Sequence, residues 1–155
     1  MSDNQTFSEF FHHKLEKEKE SFFYSETMIG AYIVGAYASA IIRSSWRGAF
    51  QKSETGEWIR VSRVEKNETF KKWLSNQQIV RSNLIKIADK AAEFHRRFNL
   101  DSKLNQELAQ LVTDYLKPKV NDGTTNAEVS FAFLRGYNDF LKYKKGDRDE
   151  NSTTK

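Results

Sequence analysis

Histidine, the side chain most used to transfer protons and bind metals, occurs three times in this chain of 155 residues, and none of the three stands in a recognised catalytic pattern. His12 and His13 are adjacent, so on a helix their side chains point about 100° apart and suit one metal ion poorly. His95 borders an apolar stripe, where a packing role is expected. The chain has no cysteine, no His-Glu-x-x-His sequence and no phosphate-binding or dinucleotide-binding glycine motif. We therefore expect a protein that is not an enzyme and that has no metal or cofactor site.

Basic side chains interleaved with aromatic ones indicate a different chemistry, the binding of nucleic-acid phosphates and bases. The net charge is +4, and residues 22–145 are more basic than the whole chain, at +7, with 20 Lys and Arg against 13 Asp and Glu. Such a bias favours phosphate-rich partners through attraction that is independent of sequence. The predicted nucleic-acid-binding residues are Arg43, Arg47, Arg60, Arg63, Lys71, Lys72, Lys86, Lys90, Arg97 and Arg135.

Each group of basic residues also has an explanation without a nucleic acid. Arg43 and Arg47 lie one turn apart near a predicted helix end, where cations are favoured by the helix dipole. Trp58 and Trp73 accompany the residues between 60 and 72 and suit a groove edge, but tryptophans are often buried. The cations between 86 and 97 also suit a solvated helix face.

The element that must position these residues is an uncharged segment, Met28 to Ile42 (MIGAYIVGAYASAII). Glycine within a helix costs roughly 1 kcal/mol relative to alanine, so Gly30 and Gly35 predict close contact between this helix and its neighbours. The segment is shorter than the roughly 20 residues that a membrane span needs.

Other helices are predicted on both sides of this segment. The first begins after Thr6, and the second has Ser25 as its N-cap and runs to about Phe50. Residues 51–57 predict a turn, and Trp58 to Val64 predict a short strand, in a two-stranded hairpin or an ordered loop.

The second half of the chain is also helical in pattern. Residues 69–98 carry helical spacing with a break near 75–78, and Asp101 or Ser102 caps a helix that ends before Pro118. The last helix runs from about Ala127 to Lys144, with Phe131, Leu134, Tyr137 and Leu141 on one face and Arg135 and Lys142 elsewhere.

These elements predict an all-α, single-domain bundle of five or six helices, with the hairpin near residues 56–64 as the one strand signal. Residues 1–21 form an acidic amphipathic N-terminal helix or arm, residues 22–145 the bundle, and residues 146–155 a disordered tail. The N-terminus lacks the features of a signal peptide, and a cytoplasmic location is expected.

Three blocks in this order resemble the small subunit of CRISPR Cascade effector complexes. More narrowly, they resemble the helical C-terminal part of a type I large subunit, which in several systems is also made as a separate chain. The first block is the Met28 to Ile42 segment, and the second is TFKKWLSNQQIVRSNLIKIADKAAEF. The third, NAEVSFAFLRGYNDF, is the most specific, with Phe133 followed by Gly136 and Tyr137. The likeness covers roughly residues 22–143, whereas residues 53–64 and the acidic N-terminus depart from the family pattern.

The resemblance implies an architectural role in antiviral defence. Small subunits of this family line the complex and contact the guide RNA–DNA duplex and the displaced DNA strand, while a separate nuclease-helicase cuts. The partners implied are nucleic acid, other Cascade subunits and further copies of the chain, with no membrane. The alternative is a helical protein-interaction module, an adaptor or regulator whose basic faces are only solvated.

Overall fold

The computed structural model describes residues 6–61, 80–100, 102–117 and 122–153 and shows an all-α helical bundle, as predicted. A 3₁₀ turn at Arg81–Asn83 leads into the third helix. The α-helices of this part of the chain are α1 (Phe7–Lys17), α2 (Glu26–Gly48), α3 (Leu84–Arg97), α4 (Lys103–Tyr115) and α5 (Asn126–Thr153). Within the same ranges, the strands are β1 (Ala49–Lys52) and β2 (Trp58–Val61).

Hydroxyl side chains start the helices at the predicted places. Thr6 forms a reciprocal capping box with Glu9 at the start of α1. Ser25 Oγ accepts the backbone N–H of Met28 at 3.1 Å at the start of α2. Ser102, and not the alternative Asp101, caps α4 by accepting the N–H of Asn105.

Helix α2 is the centre of the bundle, since every residue from 30 to 42 is buried. It packs most extensively on α5 and also on α4 and α3. Phe7 and Phe11 of α1 are fully buried in the same hydrophobic core. Helix α1 therefore belongs to the bundle and does not extend from it as a separate arm.

The predicted tight packing around Gly30 and Gly35 is confirmed. A Cβ atom on Gly35 would lie 2.1 Å from the Phe133 carbonyl oxygen of α5, a distance that no side chain tolerates. At Gly30 the nearest atom is the Tyr115 carbonyl oxygen of α4, 3.0 Å away. The two glycines therefore let two different helices approach the backbone of α2.

The buried face of α5 differs from the predicted one. Phe131 and Leu134 are 60% and 38% exposed, whereas Ala132, Phe133 and Gly136 are buried against the core. Because α5 approaches α2 closely, it places Ala132 and Gly136 at the contact. Phe131 and Leu134 consequently lie on the outer side of α5. The helix also continues to Thr153, beyond the predicted end at Lys144 and into the segment expected to be disordered.

Of the two predicted alternatives, a hairpin or an ordered loop, the structure has an antiparallel hairpin, with Lys52 opposite Trp58 and Phe50 opposite Arg60. Its first strand, Ala49–Lys52, lies where the end of the second helix and the start of a turn were predicted. Gly56 has φ +90°, the left-handed conformation that the turn between the strands requires. Strand β1 contacts α3, so the hairpin lies beside that helix. No helix in the described ranges is long and apolar enough to cross a membrane.

Candidate nucleic-acid interface

The predicted cations fall into groups that the fold separates. Arg63, Lys71 and Lys72 lie outside the described residues, and only the backbones of Arg47 and Arg60 are described. The remaining predicted cations are Arg43, Lys86, Lys90, Arg97 and Arg135.

One of these groups is a stripe on the outer side of α3, here called the α3 stripe, formed by Lys86, Lys90, Glu93 and Arg97. The four positions share one side of the helix because their spacings are four, three and four. Leu84, Ile87, Ala91 and Phe94 of α3 are buried against the core, as predicted, whereas Ile85 is 40% exposed. The α3 stripe therefore faces solvent, with three cations and one carboxylate.

Glu93 partly neutralises this stripe. Its carboxylate lies 3.2 Å from Lys90 Nζ and 4.0 Å from Arg97 Nη1, and Arg97 keeps 53% of its side chain exposed. Surface pairs of this kind contribute little to stability because water screens them. An approaching phosphate can therefore replace Glu93 as the partner of Lys90 and Arg97 at small cost, and Lys86 is exposed beside them.

Arg135 is held by other side chains of the protein. Its guanidinium lies 2.7 Å from a Glu18 carboxylate oxygen and 3.6 Å from Asp139, and it covers the ring of Phe22 at 4.3 Å. The hydrogen bond from Arg135 lowers the pKa of Glu18, and the same bond raises the pKa of Arg135. The residue predicted to contact phosphate thus links α5 to the segment after α1.

Asp139 extends this network into the core. It is 4% exposed, and its carboxylate accepts the buried Tyr32 hydroxyl at 2.7 Å and lies 3.6 Å from Lys14. Burial and the nearby Asp139 charge raise the pKa of Tyr32, which stays protonated. The network is a structural link between α1, α2 and α5.

Arg43 occupies a third place, at the contact of α2 with α5. Its Nε is shielded from solvent and has no hydrogen-bond partner among the described residues. Burial raises the pKa of Tyr137, and the positive charge of nearby Arg43 opposes that rise. Arg43 is therefore partly enclosed within the bundle.

Two of the three histidines, His95 and His12, have structural partners. His95 is 9% exposed, and its Nδ1 lies 2.7 Å from the Tyr37 hydroxyl, which confirms the expected packing role. His12 Nδ1 lies 2.7 Å from the Ser8 carbonyl oxygen, and Nε2 lies 2.9 Å from the Tyr115 hydroxyl. No group of three or more His, Cys, Asp or Glu suited to a metal ion occurs in the part of the chain that the structure describes.

Sequence reasoning missed a small pocket between the hairpin and the end of α3. It has a volume of about 360 Å³ and is lined by Trp58, His95, Arg96 and Asn99. Arg96 is exposed and was not among the predicted residues. Trp58 was the one member of this pocket that the sequence pattern indicated. Its proximity to His95, Arg96 and Asn99 depends on where the hairpin packs, which the sequence pattern does not determine.

Comparisons with known proteins show no relationship for this chain: no family model matches it, and neither a curated protein nor a solved structure does. Inferences about function therefore depend on the residues and their arrangement. In that arrangement the α3 stripe lies along the solvent side of α3, the pocket lies at the C-terminal end of that helix, and Arg135 lies on α5.

Proposed function

We propose that this protein is a non-catalytic helical subunit that binds the nucleic-acid backbone inside a CRISPR Cascade complex in the cytoplasm. The guide RNA–DNA duplex and the displaced DNA strand are the proposed ligands, and other Cascade subunits and further copies of the chain are the proposed protein partners. The sequence resemblance of three ordered blocks supports the family. The observation that carries backbone binding is the α3 stripe, in which Lys86 and Arg97 are exposed and Lys90 has 26% of its side chain exposed, all on one helix face.

The stripe suits a repeating phosphate backbone better than a particular base sequence. Flexible cations placed along one helix face contact phosphates without reading base edges. Their affinity is expected to fall steeply with salt, because each phosphate contact releases counterions. Sequence recognition in this proposal belongs to base pairing between guide and target, and the protein contributes shape and charge.

The test is fluorescence anisotropy of a labelled single-stranded DNA with the purified full chain, titrated from low to physiological salt. The Lys86→Glu, Arg97→Glu double variant reverses two exposed charges without touching the core. We expect it to weaken binding at least tenfold and to reduce the slope of log K against log salt by about 1.4.

A matched control is the Lys19→Glu, Lys117→Glu double variant, because both lysines are exposed and lie outside α3. It changes the net charge by the same amount, and we expect a smaller loss of affinity and an almost unchanged salt slope. Equal losses in the two double variants would show that only net charge matters and would contradict the assignment to α3. Absence of binding by the unaltered protein at low salt would contradict backbone binding by the isolated chain.

A second function, a protein-interaction module, is favoured by one observation on α5. Phe131 and Leu134 are exposed beside an open groove of about 660 Å³ that Lys14, Asn138 and Lys142 also line. Exposed large apolar side chains in a groove are typical of protein contacts. In that case both double variants would keep partner binding, whereas Phe131→Ser would abolish it.

A further inference from the structure

The pocket lined by Trp58, His95, Arg96 and Asn99 carries an inference that rests on the proposed function and goes further. Its volume of about 360 Å³ is near the lower limit for ligand pockets, which indicates a small ring system. The indole of Trp58 is 47% exposed and stacks on no other ring or cation of the described residues. The exposed part of the indole offers an aromatic surface to a ligand.

The surroundings of Trp58 distinguish a base from a phosphate. The pocket lies at the C-terminal end of α3, where the helix dipole disfavours an anion. Asn99 offers an amide donor and acceptor, and it is fixed in the left-handed conformation, with φ +52°, that ends the helix. These features suit a neutral ring with hydrogen-bonding edges inside the pocket.

Arg96 in the pocket lining and Lys52 on the hairpin are the cations placed to contact the phosphates of that nucleotide. Lys52 is directly opposite Trp58 in the hairpin, so the two side chains lie on the same face. Arg96 lines the pocket, and Arg97 of the α3 stripe is the next residue along the chain. Stacking on an indole with phosphate contacts at its edge is a common way to bind a single strand.

We propose that this pocket accepts one unpaired nucleobase of a bound single strand, stacked on Trp58, with the adjoining phosphates directed to Arg96 and Lys52. Base stacking on an aromatic side chain tolerates every base. The pocket would therefore favour single-stranded over paired nucleic acid without adding a sequence code.

His95 forms a fixed wall of the pocket. Its imidazole is held by Tyr37 of α2, the central helix, so this wall does not move with the hairpin. A fixed imidazole and an exposed indole that line one pocket suit a flat ligand. The hairpin thus has a binding role that its small contribution to the core does not explain.

The experiment compares two single-stranded ligands of equal length, a thymine oligonucleotide and an abasic one, binding to the full chain. We expect the unaltered protein to prefer the thymine oligonucleotide. Trp58→Ala should weaken binding of that oligonucleotide roughly 5- to 100-fold and leave the abasic strand unaffected. Trp58→Phe should retain most of the preference because a phenyl ring still stacks.

The matched control is Ile59→Ala, which removes an equally exposed side chain, 54% exposed, from the opposite face of the same strand. It should bind both strands as the unaltered protein does, and circular dichroism should show that all variants fold. If Trp58→Ala binds the thymine oligonucleotide with unchanged affinity and salt dependence, the pocket is not a base site although backbone binding stands. If the unaltered protein binds neither strand at low salt, the proposed function fails, and the base site fails with it.

Discussion

Gly35 of α2 and Gly136 of α5 each occupy the space directly against the backbone of the other helix. A Cβ on Gly136 would lie 1.9 Å from the Tyr32 carbonyl oxygen, and a Cβ on Gly35 would lie 2.1 Å from the Phe133 carbonyl oxygen. The carbonyl that each glycine faces belongs to a residue that lies within one helical turn of the other glycine. The two helices are in backbone contact, and even one methyl group would force them apart.

Gly136→Ala and Gly35→Ala should each lower the free energy of unfolding by about 3 kcal/mol or more, since the obstacle is backbone and cannot move as a side chain does. Gly30→Ala is the control. Its added methyl would meet the Tyr115 carbonyl oxygen at 3.0 Å, a milder contact, and alanine adds about 1 kcal/mol of helix propensity, so this variant should be more stable than the other two. Urea denaturation followed by circular dichroism measures all three variants. Equal stability of Gly136→Ala and Gly30→Ala would contradict the backbone contact.

Arg135 should matter for stability and not for nucleic-acid binding. Its replacement by Ala removes the 2.7 Å hydrogen bond to Glu18 and the contact with the ring of Phe22. We expect a loss of about 1–2 kcal/mol in the free energy of unfolding. Salt-dependent binding of single-stranded DNA should stay within about twofold of the unaltered protein.

A double-mutant cycle with Glu18→Gln isolates the pair. Arg135→Ala and the double variant should lose similar stability, whereas Glu18→Gln should lose less, because Arg135 keeps its contacts with Asp139 and Phe22 in that variant. If Arg135→Ala lost tenfold in DNA affinity and its stability were unchanged, the result would contradict this prediction and show that Arg135 contacts the nucleic acid.

Helix positions and caps were predictable because they depend on residues close together in the chain. The hydroxyls of Thr6, Ser25 and Ser102 lie immediately before apolar periodic segments, and each caps a helix. The glycines of the central helix signalled close packing by the same local reasoning. Which helix approaches them was not predictable, and this is why the buried face of α5 was assigned wrongly to the side with Phe131 and Leu134.

The candidate site was less predictable, because charge alone does not say which partner a cation has. Arg135 and Glu18 are far apart in sequence, and only the packing of α5 beside the end of α1 joins them. By contrast, the pairing of Glu93 with Lys90 and Arg97 follows from spacings of three and four on one helix and was available from the sequence. The nearness of Trp58 to Asn99 again required the packing of the hairpin.

Acid should destabilise the loop before α5 through Asp122. Partial burial opposes its ionisation, but hydrogen bonds from Thr124 and Thr27 outweigh burial and lower its pKa from the usual 3.8 to about 2. Because the folded pKa lies below the unfolded one, the carboxylate stabilises the fold above about pH 4, and this contribution is lost as the pH falls towards 2.

Asp122→Asn should therefore be less stable than the unaltered protein at pH 7, by about 1 kcal/mol once solvent screening is allowed for. The difference should shrink as the pH falls from 4 to 2. Thermal unfolding of both proteins across that range measures it, and a difference independent of pH would show that the charge of Asp122 is not what matters.

Replacing Glu93 with Gln should strengthen binding of single-stranded DNA. Glu93 is the carboxylate within the α3 stripe, 3.2 Å from Lys90 and 4.0 Å from Arg97, and it competes with phosphate for both cations. Glutamine keeps the size and helix propensity of the side chain and removes the charge. We expect about two- to fivefold tighter binding at low salt and a steeper salt dependence, measured by the same anisotropy titration.

The control for this gain is Asp114→Asn, which adds the same unit of net charge near the C-terminal end of α4, away from the α3 stripe. If both variants gain equally, the effect is a general one of net charge. If Glu93→Gln weakens binding, the carboxylate orients Lys90 and Arg97 for the phosphate instead of competing with it, and its ion pairs would be part of the binding surface.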